Sequence, residues 1–325
     1  MVNNYKPPYS ITSKILAKVS DIVELLIELK YIKKEIGTPK LRKKNRVKSI
    51  TGTLQIEGNS FTEEKVTNVL DGKIVLGTMR EIEEVKGAIE AYDYLDKYNY
   101  ANEKDLLKSH NLLMNKLLNN AGIYRNTNVG VGGKDGVTHV APPPNMVPQL
   151  MGDLFSWLKN TDEHFLVVSC IFHYEFEFIH PFSDENGRVG RLWQSVILNK
   201  YKNIFGYIPI ESVVRENQAK YYQALEEAGS VGESTPFIEF MLEVILSTIE
   251  SSVKSSVKSS VKTENKILDY INENPKVTIK ELSELLNLTT RAIEKQISNL
   301  KKENVLQRVG SARKGHWEVL DGTKI

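Results

Sequence analysis

Cysteine is almost missing from this chain: Cys170 is the single one in 325 residues. That excludes an intrachain disulfide and a thiolate metal cluster, and it fits a reducing compartment. Cys170 itself reads as a buried small hydrophobe. No run approaches the ~18 apolar residues of a membrane span, and MVNNYKPPYSIT lacks the charged and apolar regions of a secretory signal, so the expectation is a cytoplasmic protein without a membrane partner. Charge of one sign is also scarce. The net charge of +2 is too small to imply nucleic-acid binding by the whole chain, and any basic face has to be argued locally. What remains is ordinary soluble composition, 41% apolar and 26% charged, on a chain long enough for one substantial core and a small second domain.

Helical periodicity dominates the first 250 residues. ITSKILAKVSDIVELLIELKYIKKEI, TMREIEEVKGAIEAYDYLDKY, EKDLLKSHNLLMNKLL and VPQLMGDLFSWLKN all repeat apolar residues three and four apart. Between two of these helices, YRNTNVGVGGKDGVTHVAPPP alternates β-favouring pieces around a glycine-rich turn and predicts a hairpin. Trp157, Trp193, Tyr221 and Tyr222 sit at helical spacing among apolar residues and read as core, with Asn217 and Tyr222 as candidates to border a purine ring. SSVKSSVKSSVK at 251–262 is rich in small polar residues and reads as a linker over 251–263, although valine every fourth residue would alternatively prolong the preceding helix. Beyond it, two short helices, an Asn287–Thr289 turn, a third helix RAIEKQISNLKKEN and strands VLQRV and HWEVL follow in the order of a winged helix-turn-helix, with Thr278 and Glu281 spaced as a capping box. The fold class expected is mainly α, a helical bundle with a β-hairpin followed by a small α+β domain at 264–325.

The chemistry concentrates in HPFSDENGRVGR. An apolar helix ends at His180, Pro181 stops it, and a glycine-containing turn leads into the next helix. Such a helix start offers outward backbone donors and a positive dipole end, a ready phosphate site. Arg188 and Arg191 lie three apart on one helical face and can grip the same polyphosphate. Asp184 offers magnesium one hard oxygen, which suffices for an ion that keeps phosphate and water as its other ligands. His180 supplies a base titrating near neutrality. Alone, each has a bland explanation: a structural histidine, a turn aspartate, a solvated pair of arginines. Together they point to phosphoryl or nucleotidyl transfer.

The segment resembles the signature of the Fic family, His-Pro-Phe-x-Asp/Glu-Gly-Asn-Gly-Arg-x-x-Arg, departing from it at Glu185, where the signature has glycine. The resemblance extends over roughly residues 50–245, through TGTLQIEGN, EVKGAIEAY, GIYRNTNVGVGG, THVAPPP, YYQALEEA and TPFIEFML. It implies a Fic-type helical bundle, with a core at 86–250 behind a helical region at 1–85. It also implies a protein adenylyltransferase that uses ATP and Mg2+. His180 would take the proton of a Tyr, Thr or Ser hydroxyl on a target protein or on the enzyme itself, and the hydroxyl would attack the α-phosphate. Asp184 would hold the metal, Asn186 and Gly187 would belong to the anion nest, and Arg188 and Arg191 would bind the phosphates. Phe182 would anchor the loop. Glu185 would modify this site, since it restricts the backbone and brings a carboxylate beside polyphosphate. The hairpin would be the family's flap, holding a target strand through Val129, Val131, Thr138, His139 and Val140, with Lys134 nearby. A homodimer is the expected assembly.

TLQIEG, Thr53 to Gly58, resembles the family's inhibitory motif, with Glu57 pairing Arg191 and blocking the productive phosphate pose. The same glutamate would alternatively orient water to remove AMP from a modified target. In the C-terminal unit, Arg291, Lys295, Ser298 and Lys302 form one polar, mainly basic helix face, and Arg313 and Lys314 lie in the wing, which makes DNA a candidate partner and an ATP-sensing transcriptional regulator the rival function. A metal hydrolase built from His173, Glu175, Glu177 and His180 is disfavoured, because these occupy different faces of one helix.

Overall fold

The computed structural model describes residues 5–36, 39–133, 136–311 and 315–320, in two compact units, Met1–Glu250 and Ser251–Ile325. The first unit begins with α1 (Ser13–Ile36) and α2 (Pro39–Ile56), the latter opening on a proline whose missing N–H costs a helix start nothing. Side-chain caps then fix the starts of α3 (Glu63–Leu70), α4 (Met79–Asp93) and α5 (Glu103–Met114): Thr62, a reciprocal Thr78–Glu81 box, and Asn102. The expected hairpin follows as β1 (Gly130–Gly133) and β2 (Gly136–Val140), antiparallel, with a register shift after Val131. Helices α6 (Val147–Asn160), α7 (Phe165–Ile179), α8 (Asn186–Tyr201), α9 (Ile210–Glu216), α10 (Gln218–Val231) and α11 (Thr235–Glu273) complete the order.

Helix α7 is apolar on almost every side and therefore sits in the middle of this unit. Phe172 and Phe176 are fully buried, as are Trp193 of α8, Tyr221 of α10 and Phe237 of α11. Cys170 lies in the same core, and burial pushes its thiol up to about 12. Two features dock the outer helices. Gly52 of α2 lies where an added Cβ would come within 2.7 Å of the Glu211 and Ser212 backbone, so the two helices meet at a position with no side chain. Beside it, the buried Glu211 carboxylate accepts from Ser49 of α2 at 2.7 Å, Tyr92 of α4 at 2.9 Å and Ser195 of α8 at 2.9 Å. One carboxylate thus fixes α2, α4 and α9 to α8.

The second unit contains α12 (Ile279–Leu286), α13 (Thr290–Lys302), β3 (Leu306–Val309) and β4 (His316–Val319). The Thr278–Glu281 capping box forms as its spacing predicts, and Asn287 takes φ 51 to close α12, with Thr289 capping α13. Ile267, Ile271, Leu282, Ile293, Ile297 and Trp317 make its core. Of the two readings of SSVKSSVKSSVK, a linker over 251–263 or a prolonged helix, the structure contains the helix, inside α11. The repeat contains neither proline nor glycine, so nothing in it interrupts the backbone ladder, and serine and valine cost a helix only fractions of a kcal/mol each.

Ahead of α1, residues 5–10 strap across the first unit. Pro8 accepts from the Ser234 N–H at 2.9 Å, Ser10 N–H donates to the Thr235 hydroxyl at 2.8 Å, and the Tyr5 hydroxyl donates to Glu175 of α7 at 3.0 Å. Burial raises the Glu175 carboxyl to about 7, against the opposing pull of the Tyr5 hydrogen bond. Because the folded chain holds this proton more tightly than the unfolded one, the resulting stabilisation is complete below about pH 4.5 and lost as pH rises through 7. In Glu175→Gln this pH dependence, on the order of 3 kcal/mol at most, should vanish from urea unfolding curves taken between pH 4.5 and 8.

Candidate active site

The turn between α7 and α8 carries His180 through Glu185, and the sequence bends it at both ends. Pro181 cannot continue α7 and disfavours right-handed helix at the residue before it. His180 leaves the helix in the left-handed region, φ 50, ψ 60, and its N–H closes α7 on the Phe176 carbonyl at 2.9 Å. At the other end Glu185 takes φ 69, ψ 17 and starts α8. Left-handed backbone costs a non-glycine residue about 1–2 kcal/mol, so both positions must be held by their surroundings. Asn186 supplies part of that hold: its side chain accepts from Phe182 N–H at 2.8 Å and donates to the Phe182 carbonyl at 2.9 Å, lacing the loop to the first turn of α8.

Two further residues complete the clamp. His110 of α5 stacks face to face on Phe182, centroids 3.8 Å apart, accepts from Gly122 N–H at 2.7 Å through Nδ1, and has Nε2 3.3 Å from the Asp184 carbonyl. The acceptor at Nδ1 leaves the proton on Nε2, facing that carbonyl. Burial lowers His110 to about 4, so the ring is neutral at pH 7. The buried Arg125 guanidinium donates from Nε to the His180 carbonyl at 2.7 Å and reaches the Thr127 and Pro142 carbonyls at 2.9 and 2.6 Å. One cation thereby ties the His180 backbone to the chain on either side of the hairpin. Neither residue was among the site residues expected from sequence. Arg125 stood inside the quoted GIYR segment, and His110 carried no signal beyond being a lone polar residue at a core position of a helix.

Arg188 and Arg191 are both buried and both occupied by carboxylates. Arg191 donates from Nε to the Thr53 hydroxyl at 3.0 Å and from its terminal nitrogen to Glu57 at 2.5 Å. Burial works against its charge, yet Glu57, Tyr221 and Glu177 together outweigh it and hold the guanidinium above an ordinary arginine. The Glu57 carboxylate lies directly over Gly187, where any Cβ would collide with it, and Gly58 takes φ 89 in the turn after α2. Arg188 pairs with Glu185 and lies 3.4 Å from Glu84 of α4. Burial acts to raise the Glu185 carboxyl, and the Arg188 guanidinium against it acts to lower it. Asp184 faces outward with its side chain 46% exposed, one oxygen accepting the Glu185 N–H at 2.9 Å and the other 3.3 Å from Arg80. Beneath the site, burial acts to raise Glu177, but His173, His180 and Arg191 around it hold it below the usual carboxylate range.

The other expected residues are placed as follows. Val129 precedes β1, Gly130 and Val140 pair, Val131 pairs with His139, and Thr138 falls at the register shift. The side chains of Val131, Thr138 and His139, and Lys134 entirely, lie outside the described residues. Asn217 bonds back to the Val213 carbonyl at 3.0 Å, and Tyr222 is 46% exposed, with Glu57 among the charges acting on it. Of the four candidates for a hydrolytic metal, Glu175 turns away to bond Tyr5, and His173, 3.7 Å from Glu177, is engaged by Gln194 and Tyr221. On α13, Arg291, Ser298 and Lys302 are exposed and Lys295 is half-buried, while Arg313 and Lys314 lie outside the described residues.

The turn thus opens a helix that carries two buried arginines, in a mainly helical protein. Residues 100–198 match the Fic/DOC family, and residues 262–307 match the winged helix-turn-helix DNA-binding family. A Fic family protein from Desulfovibrio desulfuricans G20, known as a crystal structure, is 37% identical, with 99% of this chain and 100% of that one covered and a TM-score of 0.75. The chain belongs to the Fic/DOC family. Among curated relatives, a protein adenylyltransferase Fic of Culex quinquefasciatus is 28% identical over 221 residues, 64% of this chain and 42% of its own length. That of Caenorhabditis elegans is 27% identical over 246 residues, 71% of this chain and 45% of its own. The chain thus spans less than half the length of these relatives. Replacing His110 by Phe should keep the stack on Phe182 but leave the Gly122 N–H and Asp184 carbonyl without that partner, lowering stability by roughly 1–3 kcal/mol in chemical denaturation.

Proposed function

We propose that the protein is an adenylyltransferase that moves AMP from ATP to a protein hydroxyl, and that Glu57 restrains it. The observation that carries this reading is the pairing of Glu57 with Arg191 above Gly187, beside the turn that holds His180. The N-terminus of α8 favours polyphosphate through its backbone donors, and Arg188 and Arg191 would pair with its oxygens. His180 would accept the proton of a Tyr, Thr or Ser hydroxyl as that oxygen bonds to the α-phosphorus. The bond from the α-phosphorus to the bridging oxygen breaks, and pyrophosphate leaves. Asp184 fits a role as magnesium ligand, since its carboxylate is half-exposed at the edge of the turn and one carboxylate suffices when phosphates and water fill the remaining positions. The ion would neutralise phosphate charge when bound. Such a reaction belongs where ATP is abundant, in the cytoplasm, and no helix among the described residues is long and apolar enough to cross a membrane.

Glu57 would act by occupying the guanidinium that the γ-phosphate needs. ATP would then bind with its α-phosphate misplaced, and small misplacements at a reacting centre are costly in rate. The opposite direction, removal of AMP by water oriented on Glu57, is favoured by the partial exposure of that side chain, 31%. With labelled ATP, His180→Ala should abolish transfer and Glu57→Gly should raise it by about tenfold or more. No gain in the Glu57 variant would remove the restraint from the proposal, and loss of a preformed AMP adduct only when Glu57 is present would favour the reverse reaction.

The winged helix-turn-helix match supports a second partner, duplex DNA, met by Arg291, Lys295 and Lys302 of α13. Contacts to phosphate release counterions, so a mobility shift should weaken steeply between low and physiological salt, and Lys302→Ala should flatten that dependence by about one ion. Absence of any shift at low salt would leave α13 as a protein-facing surface.

A further inference from the structure

Glu185 holds the position where the family signature has glycine, and its backbone is left-handed, φ 69 and ψ 17. Glycine meets that conformation without strain, whereas glutamate does not. The side chain that replaces it is not turned to solvent. Glu185 is 6% exposed, and its carboxylate folds back three residues along α8 onto the guanidinium of Arg188, itself 4% exposed.

Arg188 does not need this partner for charge balance. Glu84 of α4 stands 3.4 Å away and is fixed in place by Asn59 Nδ2 at 2.8 Å and Arg80 Nε at 2.9 Å. Glu84 belongs to a well-braced helix, whereas Glu185 belongs to a strained turn and has Arg188 as its cation. Arg191, on the same face of α8, is occupied in the same manner by Glu57. The two arginines that would grip a polyphosphate therefore each hold an internal carboxylate, delivered from two different elements.

We propose that Glu185 sets the affinity and selectivity of the site for nucleotide phosphates: it occupies Arg188 as Glu57 occupies Arg191, so a polyphosphate reaches both arginines only by displacing both glutamates. This rests on the adenylyltransferase reading for the identity of the nucleotide. Relief of Glu57 alone then frees half of the phosphate grip. A ligand without a polyphosphate, such as adenosine, does not compete with Glu185 and is indifferent to it.

The test uses the full-length chain and its Glu57→Gly, Glu185→Gly, Glu185→Gln and Glu57→Gly/Glu185→Gly variants, with ATP and adenosine affinities from calorimetry and AMP transfer from labelled ATP. Removing the Glu185 charge should tighten ATP by about fivefold or more while leaving adenosine within about twofold, and the double variant should transfer AMP several-fold faster than Glu57→Gly. Glu185→Asn, uncharged and tolerant of left-handed backbone, takes the place of the glycine variant should that fail to fold. If Glu57→Gly transfers AMP but loss of the Glu185 charge leaves ATP affinity unchanged or weaker, or shifts adenosine equally, the inference is overturned and the adenylyltransferase reading stands. If no variant transfers AMP yet ATP still tightens selectively, the inference stands and that reading falls.

Discussion

A guanidinium buried on the first turns of α8 is the constraint around which this molecule is arranged. Arg191 is 2% exposed, and a charge taken that far from water has to be met by acceptors with good geometry, or the cost is several kcal/mol. The acceptors come from α2, through the Thr53 hydroxyl and Glu57. They are in reach because α2 lies tight against the α8–α9 region, at Gly52 and around the triply bonded Glu211. An element far away in sequence thus takes part in the candidate site, and the same contacts that stabilise the fold hold Glu57 against Arg191. Loosening α2 would cost stability and release Arg191 together, which couples the two by construction.

The loop that carries His180 obeys a related rule. Two left-handed residues bracket it, and neither is glycine. Their strain is met by contacts from outside the loop: Arg125 on the His180 carbonyl, His110 on the Asp184 carbonyl, and Asn186 on both backbone groups of Phe182. Three polar side chains grip main-chain atoms, so the active-site turn is set by groups that need not touch a nucleotide at all. A neutral His110 suits that task, because a charged ring would lose the acceptor that receives the Gly122 N–H.

Much of this was legible in the sequence because it is local. The HPFSDENGRVGR turn, the Thr278–Glu281 cap and the hairpin are short-range patterns with one dominant conformation each, and the structure contains the capping box, the paired strands and the helix break at Pro181. What could not be read was the tertiary use of ordinary residues. Nothing local distinguishes Glu84 among the acids of REIEEVKG, His110 in the apolar stripe of its helix, or Gly52 within α2. Each acquires its role only when another helix arrives beside it. The SSVK repeat was ambiguous for the opposite reason. Its composition suggested a flexible linker, but serine, valine and lysine are mild in their helix preferences, and a helix already begun at Thr235 propagates more easily than one must be nucleated.

Glu185 joins these two levels. Its conformation is dictated locally, since the turn requires a left-handed residue there whatever its identity. Its consequence is set by distance, because the side chain that a glycine would lack is long enough to fold back onto Arg188 three residues on. A shorter residue in the same backbone would have left that arginine to Glu84 alone. The signature position that tolerates glycine for steric reasons therefore carries an electrostatic degree of freedom. In this chain it is filled with a carboxyl group that lies against Arg188.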